Sequence, residues 1–273
     1  MESNQEKIFK NGSKTFFYST FFFPETAKKD ITTLYAFVRI ADDFVDATPS
    51  DSVGFYDFKN KYIRALGGEK ADYEVIDDFV VLQKKYNFEQ EWIDAFFSAM
   101  ESDLYPQFCK NATDTAKYMY GSAEVVGLMM CKILNIKEEA YVYARKLGQA
   151  FQYINFIRDL YEDEKLGRLY LPEENILKSG ISKLSIETAE KNKISFENFM
   201  KKEIKYFYHL VDEARPGFDF IPRRYRIPIV IATNLYLYTA KIIENNPYIV
   251  YQQKVKPNTK RIFYEALKVI ITI

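Results

Sequence analysis

Two stretches of this chain set a pair of aspartates one helical turn apart inside sequence that otherwise reads as core helix: Asp42 and Asp46 in ADDFVD, and Asp159 and Asp163 in NFIRDLYED. Carboxylates at i and i+4 stack on one face of a helix, so each pair concentrates like charge where a folded chain normally disperses it. Taken alone, either stretch reads equally well as a solvated helix face whose Arg and Asp make local ion pairs. The flanks decide against that. Ile40, Ala41, Phe44 and Val45 surround the first pair, and Phe151, Ile154 and Ile157 precede the second. Gln152, Asn155, Asp159 and Asp163 step at helical spacing along one polar stripe. Such a stripe on an apolar helix is unfavourable unless it lines a cavity or holds an ion. The fold is therefore expected to bring two acidic core helices to a common space.

Oxygen-only clusters of this kind suit hard divalent cations. Mg²⁺ takes one or two carboxylates and completes its octahedron with water and substrate phosphate, which makes the pattern a candidate diphosphate site, with Mn²⁺ as an alternative ion. Arg39 precedes Asp42 and Asp43 by three and four residues, and Arg158 directly precedes Asp159. Guanidinium groups offer planar forks of donors to phosphate oxygens.

Apolar residues recur at helical spacing near residues 26–46, 56–66, 72–86, 89–108, 113–134, 137–164, 186–215, 226–245 and 257–271. Gly and Pro punctuate the gaps, at Thr48-Pro49-Ser50, Gly67-Gly68, the loop from Gly167 to Ser182, Pro216-Gly217 and Asn246-Pro247. Long helices without alternating strands predict an all-α bundle. With 273 residues, 48% of them hydrophobic and 17% aromatic, the chain can bury a large core. A single domain over residues 1–273 is expected, because one metal cluster needs both acidic helices. Facing helices of a bundle can enclose an apolar slot.

Other chemistries are excluded or disfavoured. Lys plus Arg equals Asp plus Glu at 38 each, so nothing points to nucleic acid. His209 is the sole histidine, which rules out a His-rich zinc site. Neither a GxGxxG nor a GxxxxGKS pattern occurs, so no standard dinucleotide fingerprint or P-loop is present. Cys109 and Cys131 form no CxxC and read as reduced thiols. The N-terminal MESNQEKIFKNG is too polar for a secretory signal, and the apolar stretch from Ile227 to Ile243 is interrupted by Pro228, Asn234 and Lys241. A cytoplasmic protein is expected. Peripheral membrane contact is compatible with an insoluble product, although no basic amphipathic helix stands out to mediate it.

Four segments set the acidic motifs in an ordered series: SKTF at Ser13–Phe16, YAFVRIADDFVD at Tyr35–Asp46, YMYGSAEVVG at Tyr118–Gly127 and QYINFIRDLYED at Gln152–Asp163, followed by RLYLP at Arg168–Pro172. The series resembles the squalene and phytoene synthases, from about residue 12 to about residue 260, and the SAEVVGLMM stretch is most similar to microbial phytoene synthases. The resemblance implies an isoprenoid synthase bundle with a central apolar cavity. It also implies Mg²⁺-dependent head-to-head condensation of two prenyl diphosphates through a cyclopropyl intermediate. By the same resemblance, Asp42, Asp46, Asp159 and Asp163 serve the metals, with Asp43 in support. Ser13, Arg39, Gln152, Asn155 and Arg158 contact diphosphate or its ordered water, Phe16 lines the cavity, and Tyr35, Tyr120 and Tyr236 line the reaction site. Glu124 departs from the family pattern, which has a small residue there. Two geranylgeranyl diphosphates giving phytoene is the expected reaction. The alternatives are a squalene or dehydrosqualene synthase using farnesyl diphosphate, with NADPH needed only for squalene, and a non-catalytic prenyl diphosphate-binding or assembly protein.

Overall fold

Local signals in the sequence start and stop most of the helices. Ser3 and Glu6 exchange hydrogen bonds with each other's backbone N–H, a capping box that opens α1 (Asn4–Gly12). After the short α2 (Lys14–Ser19), Pro24 precedes α3 (Glu25–Asp46), which carries the first acidic motif. Asp51 accepts from the Gly54 N–H at 2.8 Å and starts α4 (Ser52–Leu66). Asn87, in the left-handed region at φ 49°, ends α5 (Glu74–Tyr86) before α6 (Gln90–Ser102). Asn111 caps α7 (Ala112–Met119) by accepting from the Thr113 and Asp114 N–H groups.

This computed structural model describes residues 3–272, the side chains of residues 14–16 excepted. The expected all-α architecture is present. Its strands among the described residues are β1 (Gln107–Phe108) and β2 (Arg168–Leu169), paired in parallel with Gln107 opposite Arg168. The second half of the chain supplies α8 (Val125–Ile133), α9 (Tyr141–Arg158), α10 (Leu160–Lys165), α11 (Glu173–Lys178) and α12 (Ile186–Lys191). It finishes with α13 (Lys193–Ala214), α14 (Arg223–Asn245), α15 (Ile249–Gln252) and α16 (Thr259–Thr272).

Three sequence expectations are refined. The helix read over 113–134 is α7 and α8 joined by a π turn at Tyr120–Glu124. The helix read over 137–164 breaks at Asp159, whose φ and ψ of −96° and 10° separate α9 from α10. The helix read over 226–245 is α14, which starts earlier, at Arg223, and continues through Pro228 as expected.

Helix α9 is the hub of the bundle. It packs on α13, α8, α14 and the π turn. On its α13 side, the buried Tyr153 hydroxyl donates to Glu203. The first half of the bundle is an aromatic core, with Phe37 of α3 stacked on Phe79 of α5 at a 3.6 Å centroid distance. Each such ring contributes about 1.5–3 kcal/mol through burial, which fixes the helix that displays Asp42 and Asp46. Gly121 lets the π turn meet α6 closely, since a Cβ there would lie 2.3 Å from the Ala95 carbonyl oxygen. Cys109 and Cys131 are free and buried, which pushes their thiols up to about 11 and about 12.

Candidate active site

Between α3, the π turn, α8, α9 and α14 lies a cavity of about 390 Å³. Phe96, Met100, Val126, Met130, Leu147 and Ile229 make its wall predominantly apolar. Helix α9 crosses it from Tyr143 at one end to Asn155 at the other, a rise of about 18 Å. The polar groups collect at the Asn155 end, where Tyr35, Arg39, Asp42, Gln152 and Tyr236 also line the cavity.

The first wall is α3. Tyr35, Arg39, Asp42 and Asp46 succeed one another at four, three and four residues and so share a face. Arg39 pairs with Asp42 at 2.7 Å and with Asp43. Burial raises the Asp42 carboxyl to about 7, helped by the charge on Asp46 and opposed by Arg39. Tyr35 stacks on Phe9 at 3.9 Å, and burial holds its phenol far above the ordinary range. Gly12 makes this packing possible, because a Cβ there would sit 2.6 Å from the Tyr35 hydroxyl and 2.9 Å from Arg39 Cδ. Ser13 comes directly after it, between α1 and α2, and is not a lining residue of the cavity. The Phe16 side chain lies outside the described residues.

The second wall is the end of α9 and the start of α10. Arg158 grips Asp159 in a bidentate fork, Nε to Oδ1 at 2.7 Å and Nη2 to Oδ2 at 2.6 Å. Lys254, from the segment after α15, adds a contact to Asp159 at 3.2 Å and pairs with Glu162. Burial of Asp159 is thus outweighed by Arg158 and Lys254, and its carboxyl lies below the usual range. Asp163 has no such ion-pair partner among the described residues. Burial first, and then the charges on Asp159 and, across the gap, Asp46, raise it to about 8. Next to this wall Tyr236 stacks on Phe151 at 4.5 Å, with its hydroxyl facing Asn155 and Arg158. Asn155 Oδ1 is buried and accepts no hydrogen bond from the described residues.

Sequence reasoning missed the clamp behind the first wall. Arg168, 6% exposed, donates to Asp46 Oδ1 at 2.6 Å, to the Val45 carbonyl at 2.6 Å and to the Asp103 carbonyl at 2.9 Å. Asp103 in turn accepts from the Tyr118 and Tyr170 hydroxyls at 2.6 and 2.7 Å, while burial raises its carboxyl to about 6. The RLYLP segment therefore ties Asp46 to the core through Arg168 and Tyr170. Its charge in an apolar run was the available signal. Lys254 and Lys256 were also missed; burial, Lys254 and Arg158 together lower the Lys256 ammonium.

Tyr120 stands apart from these groups. It does not line the cavity; it sits at the start of the π turn with Arg145 over its ring at 5.5 Å. Tyr118, two residues earlier, lines the wall instead, together with Ser122 and Ala123 of the same turn. Glu124, 2% exposed, accepts from Arg145 Nε at 2.7 Å and from Gln149 Nε2 at 2.6 Å, so the unusual acid is paired with α9.

Among the described residues, no three His, Cys, Asp or Glu side chains converge closely enough to enclose an ion by themselves. Two walls of hard oxygen donors, one poorly compensated carboxyl on each and a buried amide oxygen without a donor, fit a cation that takes one or two carboxylates and fills its shell from a bound diphosphate. No helix of the described residues is long and apolar enough to cross a membrane.

The profile of the squalene/phytoene synthases matches residues 9–261, and the chain belongs to that family. It is 27% identical over 248 residues to phytoene synthase 1, chloroplastic, of Zea mays, which covers 86% of this chain and 60% of the maize protein. The 15-cis-phytoene synthase of Synechocystis is 25% identical, covering 92% of this chain and 79% of that one. The 4,4'-diapophytoene synthase of Staphylococcus haemolyticus is 26% identical over 202 residues, 71% of this chain and 69% of that one. This chain thus spans about 60% of the length of the maize and Arabidopsis relatives it matches. In fold, it is similar to a dehydrosqualene synthase crystallised with ligand, at a TM-score of 0.87 and 22% identity over 98% of this chain and 94% of that one. Squalene synthase HpnC from Alicyclobacillus acidocaldarius aligns with a TM-score of 0.77 at 19% identity, over 89% of this chain and 93% of that one.

Proposed function

We propose that the chain condenses two geranylgeranyl diphosphates head to head into phytoene, releasing diphosphate at each of two ionisations. The observation that carries this reading is the one-ended polarity of the cavity: Arg39, Asp42, Gln152 and Asn155 collect at one end, next to the Arg158–Asp159 pair, and the remaining length is hydrocarbon-like. An allylic diphosphate has that same polarity.

Bound Mg²⁺, held by Asp42, Asp46, Asp159 and Asp163, would neutralise charge building on the departing diphosphate. Arg39 and Arg158 would offer phosphate oxygens the N–H donors that Asp42, Asp43 and Asp159 leave unengaged, with Lys254 as an added point charge. Asn155 Oδ1 can accept a hydrogen bond from ordered water at the mouth. The stacked Phe151 and Tyr236 rings flank the space where the allylic cation forms, and aromatic faces stabilise cations. The second substrate's double bond captures that cation and loses a proton to give the cyclopropyl diphosphate; its own ionisation, rearrangement to a 1-1′ linked cation and loss of a second proton yield phytoene. The apolar wall keeps water from quenching either cation.

An extended isoprene unit adds about 5 Å at ordinary C–C lengths, so the roughly 18 Å rise along α9 accommodates three to four units. Length therefore admits both farnesyl and geranylgeranyl chains. Similarity to phytoene synthases over nearly the whole chain supports the longer one, and similarity to the diapophytoene synthase keeps the farnesyl reaction as the second reading. The test is incubation with Mg²⁺ and each diphosphate, with and without NADPH, and then mass analysis of extracted hydrocarbons. Phytoene from the C20 substrate without NADPH is expected. A C30 hydrocarbon from the C15 substrate alone would replace it with the second reading, the NADPH arm separating squalene from dehydrosqualene, and no hydrocarbon from folded, Mg²⁺-supplied protein would leave a prenyl diphosphate binder.

A further inference from the structure

Helix α16 is apolar on both sides. Its inner face seats Ile262, Ala266 and Val269 on Ile231 and Leu235 of α14, forming a small core of their own. Asn234 donates to Glu265 at 3.2 Å and Arg261 lies over the Tyr238 ring at 4.2 Å, so the two helices run antiparallel. That packing would satisfy an ordinary amphipathic helix. Yet the outer face is not polar: Phe263 is 65% exposed, Tyr264 57%, Leu267 61% and Ile271 77%. At 100° per residue these four fall on one arc, centred between Leu267 and Ile271. A helix that is hydrophobic all round is ordinarily covered on every side.

The exposed charges on α16 itself have one sign. Lys260 and Lys268 are exposed on the same helix, whereas its single acid, Glu265, is buried and paired with Arg261. The antiparallel pairing sets the exposed Arg223 and Arg224, in the first turn of α14, beyond the end of α16. An apolar centre with cations around it and no exposed acid on its own helix complements an anionic lipid surface, where rings and aliphatic chains sink to the acyl boundary and Lys and Arg meet headgroups. A second copy of the same face would instead oppose cation to cation.

We propose that the outer face of α16, with Leu267 and Ile271 at its centre and Lys260 and Lys268 beside them, docks this protein on anionic bilayers. The position is functional as well as adhesive. Helix α14, which seats α16 through Ile231 and Leu235, presents Ile229 and Ala232 to the cavity. Helix α14 is therefore the layer between α16 and the hydrocarbon cavity. The surface argument does not depend on the reaction, while the benefit to an insoluble product rests on the condensation reading. Apolar spacing over 257–271 marks the helix but not its role, because apolar residues on every side leave no polar face by which to recognise a membrane-binding element.

The test is co-sedimentation of the full chain with phosphatidylglycerol-containing vesicles and with pure phosphatidylcholine vesicles, without substrate, so that its outcome is independent of turnover. The expected result is salt-sensitive binding to the anionic vesicles, reduced by about tenfold or more in the double variant Leu267→Glu/Ile271→Glu and in Lys260→Glu/Lys268→Glu. Ile194→Glu, at an exposed site on α13, serves as the control that leaves binding unchanged. All these side chains project from the packed core, so unaltered circular dichroism is expected and is checked first. Equal binding to neutral vesicles, no loss in either double variant, or a concentration-dependent dimer in sedimentation equilibrium that the Glu pair abolishes would each overturn the proposal.

Discussion

The two acidic walls carry the same DxxxD spacing and solve the problem of buried charge in different ways. On α3 the pair rides an unbroken helix, and its compensated member is the second: Asp46, held by Arg168 from a distant segment. At the α9–α10 junction the chain breaks at Asp159, and the compensated member is the first, clasped by the adjacent Arg158. Asp42 and Asp163 remain, both raised by burial. Each wall thus has one carboxyl anchored by a well-buried arginine and one that burial pushes up toward neutral pH, Asp42 in spite of its pair with Arg39. Identical spacing conceals this pairing, since it depends on which cation the fold brings to which oxygen.

Replacement by Asn tests the division most severely. Asp42→Asn, Asp46→Asn, Asp159→Asn and Asp163→Asn are each expected to lower turnover by about a thousandfold or more, the scale of losing charge stabilisation at the reacting bond. Thermal melts of the metal-free protein at pH 8 should separate them. Asp42→Asn and Asp163→Asn remove charges that burial disfavours and are expected to raise Tm by a few degrees. Asp159→Asn strands a buried Arg158 and lowers it, and Asp46→Asn does the same more weakly because Asp46 is partly exposed. Four shifts of the same sign would erase the distinction between the walls.

The clamp comes next in size. Arg168→Met leaves the Asp103 and Val45 carbonyls and the Asp46 carboxylate without their shared donor. A loss of about 3 kcal/mol is expected, in the range for breaking a buried charged network, measurable by urea unfolding. A loss below about 1 kcal/mol would make Arg168 a bystander of the first wall.

Proton binding distinguishes Asp42 and Asp163 from Asp159 in sign. Asp42 and Asp163 hold protons in the native state up to about 7 and about 8, whereas the unfolded chain releases them near 3.8. Native protein binds more protons throughout that window, so metal-free stability falls as pH rises from about 4 to about 8. Asp159 acts in the opposite direction, since its lowered pKa contributes stability above the unfolded value that is lost in acid. A Tm decline on the order of 5 °C between pH 5 and pH 8 is expected. Saturating Mg²⁺ and diphosphate should flatten it, and a flat metal-free profile would show that neither carboxyl is as buried as its surroundings indicate.

Much of this was legible in the sequence because it lies on single helices. Tyr35, Arg39, Asp42 and Asp46 share a face by spacing alone, and so do Gln152 and Asn155, since helical geometry dictates both. The Arg168 clamp was not legible, because the interval from Asp46 to Arg168 is closed only by tertiary packing. Tyr120 lies off the cavity wall for a local reason. A π turn adds a residue to one turn and rotates the next stretch of helix, and nothing in YMYGSAE distinguishes it from regular helix. Glu124 stood out as foreign to the pattern, but its partners Arg145 and Gln149 on α9 emerge only when α8 and α9 are packed together.

The smallest expected effect sharpens the comparison at its asymmetric point. Lys254 reaches Asp159 and Glu162 on the second wall, and among the described residues no lysine pairs with Asp42 or Asp46 on the first. Its side chain is 29% exposed, so its charge is partly screened, and Arg158 already neutralises Asp159. Lys254→Met is accordingly expected to raise KM for the diphosphate substrate by about threefold to tenfold, the scale of a partly solvated ion pair, with kcat changed less. Initial rates across substrate concentration separate the two constants. A kcat loss comparable to that of the aspartate variants would instead mean that Lys254 meets charge developing at the breaking bond, and the second wall would then hold two essential cations against the single Arg39 lining the first.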